Sequence, residues 1–358
     1  MTTRNSTLDN AKAFAILMVV LAHMIRDGRY FAYFVPASVP VFFVLAGFTY
    51  HHSASFFSFL YKKIRTIVIP YLFAGIISIF IFAFLGQFAS NTLSEDISTT
   101  RILPNLLYML YGNGKHSHMK WNNSLWFLPC LFIVMLLVYL IESIVSIVKT
   151  NQFHKLILRI ILCLLCNITG FYLTQRSLNI ALPWHIETAL CNVIFTEVGI
   201  TLAPIAKSID SCSDNTKGKK ITLLLVFIVL ATSIASFNGE TSARTDEYGT
   251  NFILYFISAM CFTLAFLYAG SLIGSRIHAI TYTGMNTLPI LLWNKYPVIV
   301  MQAVIGKFTN VLADPDSPIA LLVSVIPSII TIVMCLIAGN IQKKLLPITL
   351  GIKSKKEP

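Results

Sequence analysis

The sequence predicts an all-α polytopic membrane protein of about ten transmembrane helices with both termini in the cytoplasm. Three observations carry that expectation. Of 358 residues, 56% are hydrophobic and only 12% charged, and a mean hydropathy of +0.74 is too apolar for a soluble chain of this length. The apolar residues gather into windows long enough to cross a bilayer, near 10–26, 31–51, 66–86, 124–146, 157–174, 181–204, 220–237, 251–273, 279–303 and 318–341. The basic residues are sorted by side. Starting from a cytoplasmic N-terminus, eighteen of the 27 lysines and arginines fall on the inner face, eight on the outer face and Lys295 within a span. The longest stretch outside the windows is roughly 87–123, so the chain reads as one integral membrane domain over 1–358 with no soluble domain attached.

Taken in order, the first window is LDNAKAFAILMVVLAH at 8–23. No small-residue cleavage site follows it, so it is expected to remain in the protein. Asp9 and Lys12 open it, ten apolar residues follow, and His23 closes it. In a helix the eleven-residue step from Lys12 to His23 is about three turns, or about 16 Å, which puts both on one face. An ionisable group inside a span is a functional candidate, whereas a histidine at a span's end can also simply pack and hydrogen-bond. Asp9 and Lys12 are either a helix-end ion pair or the lining of a ligand's path.

The second window carries Pro36 and Pro40, which interrupt helical hydrogen bonding near its outer end. Irregular backbone at that depth needs protein or a wet cavity around it. Between the second and third windows, KKIR places Lys62, Lys63 and Arg65 on the inner side. The positive-inside rule accounts for such a cluster, but Lys62 and Arg65 at helical i, i+3 spacing also suit phosphate groups. In the 87–123 loop, Gly112 and Gly114 suit a tight turn. His116 and His118 stand beside Lys115, Lys120 and Trp121. Two histidines at i, i+2 without a nearby cysteine or acid are poor metal ligands, so these residues are expected to form the lip of an outer pocket, and no metal is expected.

Six of the seven cysteines lie in windows and Cys212 in an inner loop, so no disulfide is expected. Cys163 and Cys166 form a CxxC on an apolar helix without a second ligand pair, which argues against a metal or redox role. The sixth window holds His185, Glu187 and Glu197, and the ninth holds Lys295. These charges either pair with one another or line a substrate cavity or proton path. The net charge of +12 is a topology signal rather than a nucleic-acid signal. Acids such as Asp27, Glu95, Asp96, Asp246 and Asp314 balance the outer face, while the basic inner face attracts anionic lipid and suits an anionic soluble ligand.

Several pieces then recur together: LDNAKAFAILMVVLAH, VPVFFVLAGF at 39–48, KKIRTIVIPY at 62–71, GNG at 112–114, SLWFLPCLF at 124–132, LPW at 182–184, NG at 238–239, YGTN at 248–251 and GMNTLPILL at 284–292. In their order and spacing they resemble membrane-bound acyltransferases of the acyltransferase-3 superfamily, in particular the fucose 4-O-acetylase-like branch. The resemblance implies transfer of an acyl group, usually acetyl from cytoplasmic acetyl-CoA, to a hydroxyl of a surface glycan or its lipid-linked precursor. It implies no metal and no nucleic acid, and a home in a bacterial cytoplasmic membrane. His23 matches the family's essential histidine, Lys12 its basic partner eleven residues earlier, and Lys62 and Arg65 a motif for the CoA phosphates. Two positions depart from the pattern: Ser38 precedes Val39-Pro40 where relatives commonly have histidine, and Asn294 stands where a histidine often closes the ninth-span motif.

A thioester is already activated, so the protein must supply a base, oxyanion stabilisation and alignment. His23 is the expected base, since an ordinary imidazole is mostly neutral at physiological pH. Lys62 and Arg65 are expected to hold the CoA phosphates, with Lys12 and Asp9 along the pantetheine path. Trp126, Asn251 and Asn286 are secondary candidates for the acceptor pocket or an oxyanion donor, each with an equally good structural role. The rival expectation is a secondary transporter or glycan flippase, which ten spans and buried Glu187, Glu197 and Lys295 would suit. No internal repeat supports it, and it gives no reason for the Lys12-to-His23 step. A third reading, a sensor or scaffold, predicts that His23 is replaceable.

Overall fold

The computed structural model of the chain describes residues 5–25, 29–93, 101–174, 180–211, 217–308 and 314–352. Arg4, Arg26, Asp27, Glu95, Asp96, Arg176, Cys212, Lys353, Lys355 and Lys356 lie outside the described residues. Hydrocarbon offers no water to backbone N–H and C=O groups, so an apolar segment must satisfy them internally, as a helix does. The elements are α1 (Ser6–Ile25), α2 (Phe31–Phe34), α3 (Val39–Phe48), α4 (Phe56–Lys63), a π-helical turn (Ile64–Val68), α5 (Ile69–Leu93) and α6 (Ile102–Tyr111). Two 3₁₀ segments, Lys115–Ser117 and Lys120–Trp126, lead into α7 (Phe127–Ile147) and α8 (Gln152–Thr174). A 3₁₀ turn, Pro183–His185, then opens α9 (Ile186–Ser211), followed by α10 (Lys217–Asn238), α11 (Phe252–Ile273), α12 (His278–Met285), α13 (Thr287–Trp293), α14 (Lys295–Phe308) and α15 (Pro318–Leu345).

Among the described residues, nine helical stretches are long and apolar enough to cross a membrane, and α13 with α14, bent by 61°, gives a tenth if the pair is one span. The fold class is the one the hydropathy windows imply, and three windows differ in detail. The second is two helices, α2 and α3, separated around Ser38, whose φ of −123° and ψ of −82° lie between the two prolines. The third begins at Phe56 rather than near 66, because Lys62, Lys63 and Arg65 continue a helix that Ser55 caps by accepting from the Ser58 N–H at 3.4 Å. Lysine and arginine are good helix formers, and a charge cluster need not be a loop. The ninth window is three helices. A proline ring clashes with the carbonyl four residues earlier, which for Pro289 is Met285 and for Pro297 is Trp293. Those are the last residues of α12 and α13.

The chain forms two compact units, Met1–Tyr50 with Val198–Ala243 and Glu247–Gly339, and His51–Glu197 with Arg244–Asp246 and Asn340–Pro358. In the first, α1 packs on α3, α11 and α12. The approach is close because glycines face it: a Cβ on Gly270 would sit 2.5 Å from the Thr7 carbonyl oxygen, and one on Gly284 would overlap the Asp9 carbonyl. Membrane helices associate through such small residues, since lipid gives them no hydrophobic drive. Ala11 and Ala15 cluster with Val41 and Leu45 of α3, Ala231 and Ala235 of α10, and Leu267 of α11. Ile16, Val20 and Met24 cluster with Ile290, Val298 and Ile305.

Polar side chains join elements of the second unit. The Tyr71 hydroxyl donates to the Met109 carbonyl at 2.6 Å, and Asn122 Nδ2 donates to Ser78 Oγ at 3.2 Å. Arg159 of α8 donates to both carboxylate oxygens of Glu142 on α7, at 2.5 and 2.8 Å.

Candidate functional site

In the first unit, α1 runs unbroken from Ser6 to Ile25 and carries both Lys12 and His23. The acid in its first turn is Asp9, where a carboxylate is favoured by the helix dipole. Asp9 is buried, and Lys12 Nζ lies 3.3 Å from its Oδ1, so the helix-end ion pair is formed. Asn10 fixes the same turn. Its Nδ2 donates to the Gly270 and Gly274 carbonyls at 3.0 and 2.7 Å, and its Oδ1 accepts from Thr281 Oγ1 at 2.8 Å. His23 is half-buried in the last turn of the helix, about 16 Å along the axis from Lys12.

The two secondary candidates in this unit sit at helix ends. Asn251 caps α11, its Oδ1 accepting from the Ile253 N–H at 2.7 Å. Asn286 stands at the break between α12 and α13, where its Nδ2 donates to the Tyr282 carbonyl at 2.8 Å. It lies two residues past Gly284, the glycine that abuts Asp9.

In the second unit, the basic segment ends α4 and enters the π-helical turn. Such turns are uncommon and collect at functional sites. Lys62 is exposed, while Arg65, inside the turn, is half-buried. Arg65 Nε is shielded from solvent and has no hydrogen-bond partner among the described residues. Lys63 turns away, its Nζ 3.4 Å from Met135 Sδ and over the Phe59 ring.

The same unit holds a buried polar centre built from three distant stretches. Lys115 Nζ lies 3.0 Å from Glu187 Oε1 and forms an ion pair with Asp246. The side chains of all three are buried. Burial lowers the Lys115 ammonium, but Asp246 and Glu187 outweigh that and hold it above its ordinary value of 10.5. Burial pushes the Asp246 carboxyl up, and Lys115 offsets this only in part. Asn113 Nδ2 donates to Glu187 Oε1 at 3.0 Å and to the Leu182 carbonyl at 2.7 Å.

Gly114 is gripped on both sides of its peptide. Its N–H donates to His185 Nε2 at 2.7 Å, which leaves the ring proton on Nδ1, 3.1 Å from Thr188 Oγ1. Its carbonyl accepts from Arg244 Nη1 at 2.6 Å. A Cβ here would stand 3.0 Å from Trp126, whose ring lies 5.0 Å from that of His185. The four non-glycine residues of positive φ among the described residues, His116, Trp184, His185 and Asp246, belong to the stretches that meet here. Such conformations persist where the surroundings over-determine them.

The centre adds partners the sequence did not name. Glu187 pairs with Lys115, expected only as part of the lip of an outer pocket, and Asp246, expected among the outer-side acids, has its side chain buried against the same lysine. Glu197 lies 3.9 Å from Arg159, so the two glutamates that made a transporter attractive each face a cation. Of the residues expected at the lip, His118 stacks on Tyr108 with centroids 4.3 Å apart, and His116 is exposed. GNG was visible in the sequence as a turn signal, but nothing local marked Arg244 as its partner or Asp246 as the partner of Lys115.

A family model described as an acyltransferase domain matches residues 5–338, nearly the whole chain. No curated protein and no solved structure matches it.

Proposed function

As the chain belongs to the acyltransferase-3 family of integral-membrane acyltransferases, we propose that it is an acetyl-CoA-dependent O-acetyltransferase. Its acceptor is a hydroxyl of a cell-surface glycan or of the lipid-linked precursor, and its place is a bacterial cytoplasmic membrane. The fucose 4-O-acetylase-like motifs favour acetyl and a sugar hydroxyl. The observation that carries the proposal is the match over residues 5–338, joined to an ionisable residue, His23, in the last turn of a first span that opens on the Asp9–Lys12 pair.

Neutral His23 takes the proton of the acceptor hydroxyl as that oxygen attacks the thioester carbonyl. The tetrahedral intermediate then collapses, the C–S bond breaks, and His23 returns the proton to the departing CoA thiolate. The products are an ester and free CoA, with no net proton released. Lys62 and Arg65 hold the CoA phosphates. That Arg65 Nε has no hydrogen-bond partner among the described residues supports that role, since a guanidinium fork suits phosphate. Trp126, Asn251 and Asn286 serve the acceptor. The reading takes the N-terminus as cytoplasmic, which puts Lys12 at the donor side and His23 towards the outer side.

The test is the O-acyl content of surface glycans, by mass spectrometry before and after mild base, in cells carrying the wild type, His23→Ala or no gene at matched expression. Base-labile acyl groups are expected with the wild type alone, and their mass identifies the acyl group. Equal acylation in all three strains would sink the reading.

A further inference from the structure

The last turn of α1 poses a question that packing alone does not answer. The final four carbonyls of an α-helix have no partner within it, and in α1 these include His23 and Met24. Both are bonded from outside. Gln302 of α14 donates its Nε2 to the His23 carbonyl at 3.1 Å and to the Met24 carbonyl at 2.8 Å.

The position of that amide is informative. On α14, Val298 and Ile305 are buried and belong to the cluster that holds Ile16, Val20 and Met24 of α1. Gln302 stands four residues after Val298 and three before Ile305, so at helical spacing it lies on the same stripe. A stripe packed against apolar α1 would be filled best by Leu or Met, and a polar group there is unfavourable unless it is bonded. The amide donates to two consecutive carbonyls. An apolar contact lets one helix slide along or rotate against another, whereas two hydrogen bonds to adjacent peptides fix height and angle together. Asn294 stands at the 61° bend between α13 and α14 and Lys295 opens α14, so the clamp sits on the second, separately oriented half of the broken span.

We infer that Gln302 is a positioning residue for His23: it holds the peptide that carries the imidazole and so sets where the base stands relative to the reacting hydroxyl. The inference rests on the proposed role of His23. A base displaced by about 1 Å loses about 100-fold in rate, so a residue that never touches substrate can govern turnover.

The decisive variant is Gln302→Leu, which keeps the size and suits the stripe but removes the amide. The full-length protein in nanodiscs is assayed with radiolabelled acetyl-CoA and membranes from a strain lacking the gene as acceptor. In parallel, the rate of diethyl pyrocarbonate modification of His23 is followed by mass spectrometry of its peptide, with His23→Ala as the control. We expect folded, equally thermostable Gln302→Leu with kcat lowered about 10- to 100-fold and KM for acetyl-CoA unchanged. The modification rate of His23 should shift several-fold, a change that a merely space-filling role would not produce. Gln302→Leu with wild-type kcat and wild-type His23 modification overturns the inference. A fully active His23→Ala would instead overturn the role of His23 itself, and the two failures are distinct.

Discussion

Lys115 has a carboxylate on either side of it, and its worth follows from that. Removing one partner of a buried ion pair leaves an uncompensated charge, at about 3–5 kcal/mol. Lys115→Met leaves Glu187 and Asp246 buried without their cation, and a fall in melting temperature of the detergent-solubilised protein is expected. Adding Glu187→Gln and Asp246→Asn should restore much of it, whereas an unchanged melting temperature in Lys115→Met would mean the centre contributes nothing. The pH response has a definite sign. The Lys115 ammonium is held above its ordinary 10.5 in the folded protein, so its stabilisation is complete below that value and is lost only as pH rises through the higher folded-state value. Melting temperature should therefore drop faster above pH 10.5 in the wild type than in the triple variant. At this scale the sequence was readable where spacing along one helix sufficed, as for Lys12 and His23. It was silent where partners come from separate stretches: Lys115 meets a residue 72 positions on and another 131 positions on, and no local pattern encodes such a meeting.

At the scale of elements, α1 is the piece to which the first unit is fitted. Gly270 and Gly284 let α11 and α12 press against its first turns, and Asn10 ties the three together. Gly284→Ala has no room for its methyl group beside the Asp9 carbonyl, so α12 must move. Overpacking of this kind costs about 1–3 kcal/mol, expected as lower folded yield and a lower melting temperature, with Gly218→Ala, which meets nothing within 4 Å, as the neutral control. Equal behaviour of the two variants would show that the close approach is unimportant. Helix existence was legible from hydropathy because a span needs a long apolar run. The division of the ninth window was also encoded, in Pro289 and Pro297 with their clashes four residues back, but a hydropathy average smooths over such breaks. The π-helical turn at Ile64–Val68 has no comparable mark in the residues that form it.

At the scale of the whole molecule, the proposed reaction depends on which face meets the cytoplasm. The excess of lysine and arginine on one set of loops argues for an inner N-terminus, and acetyl-CoA, the proposed donor, is a cytoplasmic metabolite that cannot cross lipid. In the proposed reaction the acyl group passes from the face of Lys12 to the end of α1 that carries His23. Sealed inverted vesicles, which expose the cytoplasmic face, test this directly when given radiolabelled acetyl-CoA from outside. Label on the vesicles' glycan or lipid-linked saccharide is expected with the wild type and none with His23→Ala at equal abundance. Labelling by His23→Ala at the wild-type rate would contradict it.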